Sequence, residues 1–127
     1  MQKLAFEPSW DKALPAKDRQ IIEEAFQNHN IANEPIIELT PLWQARNYRG
    51  ELLITVLVHN FSHDVFSFNN TKLCYIENEE IIAQHTFTIP ALTLNPEISM
   101  PWAFIFPVES IVKKANLENG KLEFIHP

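Results

Sequence analysis

The sequence predicts a mainly-β domain: an immunoglobulin-like antiparallel β-sandwich of about seven short strands with one N-terminal helix. Two observations support this fold class. From position 35 onward, β-branched and aromatic residues recur in short runs separated by prolines and turn residues, at the spacing typical of a sandwich. These runs do not alternate with helical segments, which disfavours a doubly wound α/β fold.

The composition is that of one folded domain. The chain has 127 residues, of which 46% are hydrophobic, and it includes nine Phe, three Trp and two Tyr. A chain of this length buries roughly two-thirds of the surface that its unfolded form exposes, so a core forms without metal or disulfides. Cys74 is the only cysteine, so an internal disulfide is excluded. We expect a single domain, with an arm and helix over 1–30 and the sandwich over 31–127.

The predicted helix runs from Pro15 to Asn28. Proline suits the first helical position, because its missing N–H has no partner there in any case. Asn28 and the residues after it favour a stop, since asparagine tolerates the left-handed conformation. The segment carries an apolar stripe formed by Ile21, Ile22, Ala25 and Phe26. We expect the arm before this helix to pack onto the body of the domain.

Two strands and a turn follow the helix. Ile36–Trp43 is rich in β-formers, but Pro41 within it indicates an edge strand or a break. A turn is predicted at 47–50. Glu51–Asn60 has apolar residues on both faces, which predicts a central position in a sheet. The remaining predicted strands are Val65–Phe68, Thr71–Ile76, Ile81–Ile89, Leu92–Leu94, Pro101–Phe106 and Lys121–Ile125, with a short helical turn within Glu109–Ala115.

Charge and glycine content disfavour several classes of function. Ten basic and sixteen acidic residues give a net charge of −6, so the general footprint of a nucleic-acid-binding protein is absent. The chain has only two glycines, and neither a GxGxxG motif nor a P-loop can be written in it. We therefore expect no nucleotide cofactor and no nucleic-acid partner.

The first fifteen residues lack a secretory apolar region, and the longest apolar run is far shorter than the ~20 residues that span a bilayer. We expect a cytoplasmic protein.

One cluster of residues admits a metal site. His59, His63 and Asp64 lie close together in the sequence, and His85 is available to complete a shell. Residues four apart on an extended chain are ~13 Å apart, however, so a structural or surface role is the better interpretation. A metal-dependent enzyme built on these residues remains as an alternative.

Other reactive residues have ordinary explanations. Cys74 lies within a predicted strand, where a cysteine is usually a buried small hydrophobe.

A second alternative function is a small intracellular protease inhibitor or regulator, since compact sandwiches present loops well. Its contact loop is then expected at Ser62–Asp64 or at Glu77–Glu80.

The aromatic strand 100–107 is the unusual feature of the sequence. Its letters are MPWAFIFP, and prolines stand near both of its ends. The simpler interpretation is an interior strand that packs against Val56 and Val58. The other is a partly exposed apolar edge that receives an extended peptide by strand addition. Both interpretations are compatible.

Several segments match one known pattern. They are FEPSWDKAL from Phe6, HNF from His59, FNNT from Phe68, HTFTIPAL from His85 and MPWAFIFP from Met100. In these segments the chain resembles the SLAP (S-layer assembly protein) domain of Bacillus-type Gram-positive bacteria. The resemblance implies a cytoplasmic accessory factor that works with an accessory SecA paralogue to export surface-layer proteins. It supplies no catalytic residues.

The resulting hypothesis is a non-enzymatic protein-binding module without a cofactor or metal. The expected partners are Sec components or exported surface proteins. Trp10, Trp102 and Phe104 are the candidate contact residues. A monomer or an edge-paired homodimer is expected, because antiparallel sheet edges pair readily.

Overall fold

The fold is a sandwich of two β-sheets, as the sequence predicts. A computed structural model describes residues 2–28 and 36–125. The strands of the first sheet, called sheet A, lie in the order β1 (Lys3–Leu4), β6 (Ile98–Phe106), β3 (Leu52–Asn60) and β2 (Ile37–Arg46). Those of the second, sheet B, lie in the order β5 (Glu80–Leu94), β4 (Phe66–Glu77) and β7 (Gly120–Phe124). The helical elements are α1 (Pro8–Ala13), α2 (Ala16–Gln27) and a 3-10 turn at Val108–Ser110.

Strand β3 is central, and its alternating side chains explain why the sheet is covered on both faces. It pairs with β2 on one side and with β6 on the other, antiparallel in both cases. Leu52, Ile54, Val56 and Val58 point into the core between the sheets. The alternate residues point to the outer face of sheet A, where Leu57 is fully buried. The predicted central position of this strand is confirmed.

The aromatic residues of β6 build the centre of the core. Phe104 and Phe106 are fully buried, and Phe87 of β5 contacts both of their rings edge-on at centroid distances of 5.2 Å. Phe68 of β4 lies 5.3 Å from Phe104. Strand β6 pairs in register with the core strand β3, with Trp102 opposite Val56. The predicted packing of this strand against Val56 and Val58 is therefore confirmed, while β1 covers its other side only at Ile98 and Ser99.

The N-terminal region contains two helices and a strand, where the sequence predicted one helix. Pro8 occupies the start of α1, and the carboxylate of Glu7 accepts a hydrogen bond from the backbone N–H of Ser9. A six-residue helix is too short to show a helical period, so only its capping residues could have signalled it. Helix α2 runs within the predicted limits, with Pro15 as its N-cap. Its C-cap Asn28 has a φ of −93° and is not left-handed.

Two pairs of predicted strands are in fact single strands. Strand β4 runs through Asn70, which adopts a φ of 52° at a register shift against β5. Strand β5 continues through the exposed Pro90, which is tolerated because β5 lies at the edge of sheet B. Asn70 and Pro90, which lie between the predicted strands, are thus irregularities within longer strands.

In sheet A, the predicted edge strand and turn are present at β2, and β1 is a strand that the sequence did not predict. Strand β2 is an edge strand, and its register against β3 shifts between Pro41 and Trp43. A turn at 47–50 joins it to β3, and Gly50 there has a φ of +84°. The arm adds a parallel strand to β6, pairing Lys3 with Ile98. Among the strand pairs of residues 2–28 and 36–125, this one is parallel and the others are antiparallel.

Candidate functional site

A groove separates the N-terminal helices from the outer face of sheet A. Its volume is about 330 Å³. Trp10 of α1 and Asp18 of α2 line the helical side, while Trp43, Leu53 and Ala103 lie on the side of the sheet. Helix α1 has no fully buried residue, and its Ser9, Trp10 and Ala13 line the groove. The groove is consequently open, largely apolar and aromatic at both sides.

Contacts within the arm hold α1 in this position. Arg19 of α2 donates a hydrogen bond to the carboxylate of Asp11 in α1 at 2.8 Å. The same guanidinium lies 4.6 Å from the centre of the Phe6 ring. Hydrogen bonds from the hydroxyl and backbone N–H of Ser9 hold the pKa of Glu7 below its usual range. The charged residues of the arm thus fix the helix that forms one wall of the groove.

An open strand edge runs beside the groove. The N–H of Lys3 donates to the carbonyl of Glu97, and that of Ala5 donates to Ser99, so alternate residues of β6 face the edge away from β3. Continuing this alternation, Ala103 and Ile105 direct their backbone groups to the same edge. In the described part of the chain, β1 pairs with β6 only as far as Ser99. Among the described residues, no strand pairs with this edge of β6 beyond that point, where Trp10 of α1 stacks on Trp102.

The three predicted contact residues have different positions in this arrangement. Trp10 is half-buried on the groove wall, and its ring stacks on that of Trp102 at a centroid distance of 6.4 Å. Trp102 is half-buried and packs on the edge of the core. Phe104 is 0% exposed, so it has no surface with which to contact a partner. The structure leaves Trp10 and Trp102 as candidates and assigns Phe104 to the core.

The family model of the SLAP domain matches residues 4–125 of the sequence. This chain belongs to the SLAP domain family. The match includes β7, beyond the segments on which the resemblance was drawn. No curated protein and no solved structure matches the chain. Of the helices that the structure describes, none has the length and apolar character needed to cross a membrane.

The histidine that we considered as a metal ligand is part of a buried polar network in this SLAP domain. His59 is 0% exposed, with Nε2 3.0 Å from the Thr40 hydroxyl and Nδ1 2.6 Å from that of Ser99. His63 and Asp64 lie in the exposed loop that follows β3. Within residues 2–28 and 36–125, no three metal-ligating side chains are grouped. The structure does not bring the proposed ligands together.

The Ser99–His59 pair also has the residue types of a nucleophile and its base. A nucleophilic serine must reach its substrate, but Ser99 is 0% exposed. The Ser99 hydroxyl also accepts a hydrogen bond from the Gln2 side chain at 3.0 Å, which ties the arm to β6. The network therefore serves to position β1 beside β6.

The single cysteine is a core residue. Cys74 is 4% exposed, and burial raises the pKa of its thiol. A nucleophilic cysteine requires a lowered pKa and access to solvent, and Cys74 has neither. Its position in the middle of β4 agrees with the structural interpretation drawn from the sequence.

The two loops considered for a protease inhibitor differ in exposure. In the first, Asn60 is fully buried and accepts hydrogen bonds from the backbone and side chain of Ser62, which shapes an exposed loop. In the second, Glu77 is 2% exposed and accepts hydrogen bonds from Tyr75 and from the backbone of Asn116. Glu77 is therefore part of the interior, and only the rest of its turn is exposed.

Among the groove residues that the sequence did not single out, Asp18 and Trp43 matter most for binding. Asp18 lies in the predicted helix but outside its apolar stripe, and Trp43 is the last residue of a predicted strand. The available signal was weak: Trp43 follows Pro41 by two residues, and a large aromatic residue at an irregular edge strand is a common feature of binding surfaces. Only the arrangement of α2 over sheet A brings these residues together.

Proposed function

We propose that this SLAP domain is a non-enzymatic, cytoplasmic protein-binding module that assists the export or assembly of surface-layer proteins through an accessory Sec pathway. The observation that carries the binding role is the open, aromatic groove beside an unpaired stretch of β6. Membership of the SLAP family supports the export context. Its expected partners are Sec components or precursors of exported surface proteins.

The shape of the surface supports protein binding. Strand addition at a free sheet edge provides affinity through main-chain hydrogen bonds and demands little of the partner's sequence. An adjacent aromatic groove adds side-chain contact, and tryptophan is enriched among residues that dominate binding energies. Ile105, on the same edge, is 48% exposed. A module that handles several exported proteins would benefit from recognition of this kind.

The test is a crosslinked pull-down from the cytosol of the organism that makes the protein, with captured proteins identified by mass spectrometry. The variant Trp10→Ala removes an aromatic wall of the groove. Tyr48→Ala is its control, because Tyr48 is an aromatic residue that is 90% exposed and does not line the groove. We expect wild type and Y48A to enrich Sec components or surface-protein precursors, and W10A to lose them.

Two outcomes would contradict the proposal. Equal enrichment of Sec components by wild type and W10A would show that the groove is not part of the binding surface. Enrichment of a cytoplasmic protease in their place would favour the inhibitor alternative. Circular dichroism and thermal unfolding of each variant establish that the comparison is made between folded proteins.

A further inference from the structure

The groove contains an unpaired negative charge between aromatic walls. Asp18 is half-buried and is the charged residue among those that line the groove. No described residue forms an ion pair or hydrogen bond with its carboxylate, whereas nearby Asp11 is paired with Arg19. A partly buried carboxylate without a partner retains the cost of its lost hydration. A bound cation would relieve that cost.

The walls of the groove suit the remainder of such a ligand. Trp10 and Trp43 provide two indole rings, which attract cations at their faces and pack against apolar chains. Lysine and arginine combine a charged head with an apolar stem, so they match a carboxylate set among aromatic and aliphatic side chains. The net charge of −6 also favours the approach of a basic partner.

We propose that this groove binds a lysine or arginine side chain of an extended segment of the partner protein. The inference rests on the proposed function, because it names the chemistry of the partner at the same surface. Ala103 connects the two parts of the site: its side chain lines the groove, and its backbone faces the open edge of β6. A segment that pairs with Ala103 and Ile105 can therefore place a basic side chain toward Asp18.

The experiment uses two blocked peptides that differ only in their central residue, Val-Ala-Arg-Ala-Val and Val-Ala-citrulline-Ala-Val. Citrulline keeps the shape of arginine and removes its charge. Binding to the full chain is followed by tryptophan fluorescence, to which Trp10 and Trp43 contribute. We expect the arginine peptide to bind about tenfold more tightly than the citrulline peptide, because it forms a charge-assisted hydrogen bond.

Two variants locate the effect. Asp18→Asn removes the charge from the groove, and Glu23→Gln removes one from an exposed position on the same helix. We expect D18N to abolish the difference between the peptides and E23Q to preserve it. Equal affinity of wild type for both peptides, or an undiminished difference in D18N, would overturn the proposal. If D18N does not fold, the affinities of wild type for the two peptides still test the proposal.

The outcomes separate this inference from the proposed function. Capture of Sec components that depends on Trp10, together with equal affinity for the two peptides, would refute the basic-residue inference and leave the binding module in place. Discrimination of the peptides through Asp18, without capture of Sec components or precursors, would refute the export role and leave the groove as a cation-recognising site.

Discussion

Replacement of Glu77 by glutamine tests whether this buried carboxylate holds the loop before β7 in place. Its Oε1 accepts a hydrogen bond from the N–H of Asn116 at 2.8 Å. Its Oε2 accepts from the Tyr75 hydroxyl at 2.5 Å and from the N–H of Leu117 at 2.9 Å. Glutamine has one oxygen and one NH₂ group. In either orientation, that NH₂ group faces at least one backbone N–H that now has no acceptor.

The cost follows from those contacts. A buried donor without an acceptor costs about 1–3 kcal/mol, and hydrogen bonds to an ionised acceptor are about twice as strong as neutral ones. We therefore expect Glu77→Gln to lower the free energy of unfolding by about 2–4 kcal/mol at pH 7. Glu79→Gln is the matched control, because Glu79 is exposed in the adjacent turn. Its effect should remain below about 0.5 kcal/mol.

The pH dependence provides a second measurement. Burial favours the neutral form of Glu77, but the hydrogen bonds from Tyr75 and the loop backbone outweigh it, so the pKa lies below its usual range. A carboxyl whose pKa is lower in the folded state stabilises the protein above the unfolded-state pKa. This contribution is lost as the pH falls through the folded-state pKa. The difference between wild type and E77Q should therefore shrink in acid.

Urea unfolding of wild type, E77Q and E79Q at pH 7 and at acid pH measures these differences directly. An E77Q variant that unfolds within about 0.5 kcal/mol of wild type at pH 7, a difference typical of surface substitutions, would refute a structural role for the carboxylate. An equal difference in acid would refute it as well, because the ionised carboxylate would then not be the source of the stability.

Three further predictions concern the core. A Cβ atom at Gly120 would lie 2.2 Å from the Tyr75 hydroxyl, so Gly120→Ala should lower the free energy of unfolding by about 1–3 kcal/mol in urea titration. A G120A variant as stable as wild type would show that the Tyr75 ring can move away at no cost. Phe104→Ala should cost about 3–5 kcal/mol, because Phe104 is fully buried, and a loss of binding without a loss of stability would contradict its core position. Cys74 should react with a thiol reagent only as the protein unfolds, so rapid labelling of the native protein near neutral pH would contradict its burial.

The sequence predicted the fold where the pattern of side chains is regular over many residues. Strand β3 has apolar residues on both faces, and its central position followed from that pattern. The pattern failed at short or irregular elements. Helix α1 spans six residues, and Asn70 and Pro90 are normally signs of a break. They lie inside strands here because one adopts a left-handed conformation and the other lies on an edge strand.

The site was predictable only in part, because it depends on contacts between distant segments. The aromatic strand β6 was recognised as a candidate edge, and Trp10 as a candidate contact residue. The groove also requires Asp18 and Trp43, and no local pattern indicates that α2 lies over the outer face of sheet A. The burial of Phe104 was equally hidden, because alternation along a strand does not tell which of its faces is the core.

The sheet edges differ in composition and regularity, and these differences are the reason we expect a partner to pair with β6. Exposed edges invite uncontrolled pairing, and proteins block them with prolines, charges, irregular register or short length. Strand β2 has Pro41 and a register shift, β5 has Pro90 and register shifts against β4, and β7 has five residues with charges at Lys121 and Glu123. The stretch of β6 from Trp102 to Phe106 has no proline, no charged residue and no register shift against β3. It is also bounded by Pro101 and Pro107, which limit any added strand to a few residues. A strand edge with regular register, bounded by a proline at each end, has the form expected for short, selective strand addition.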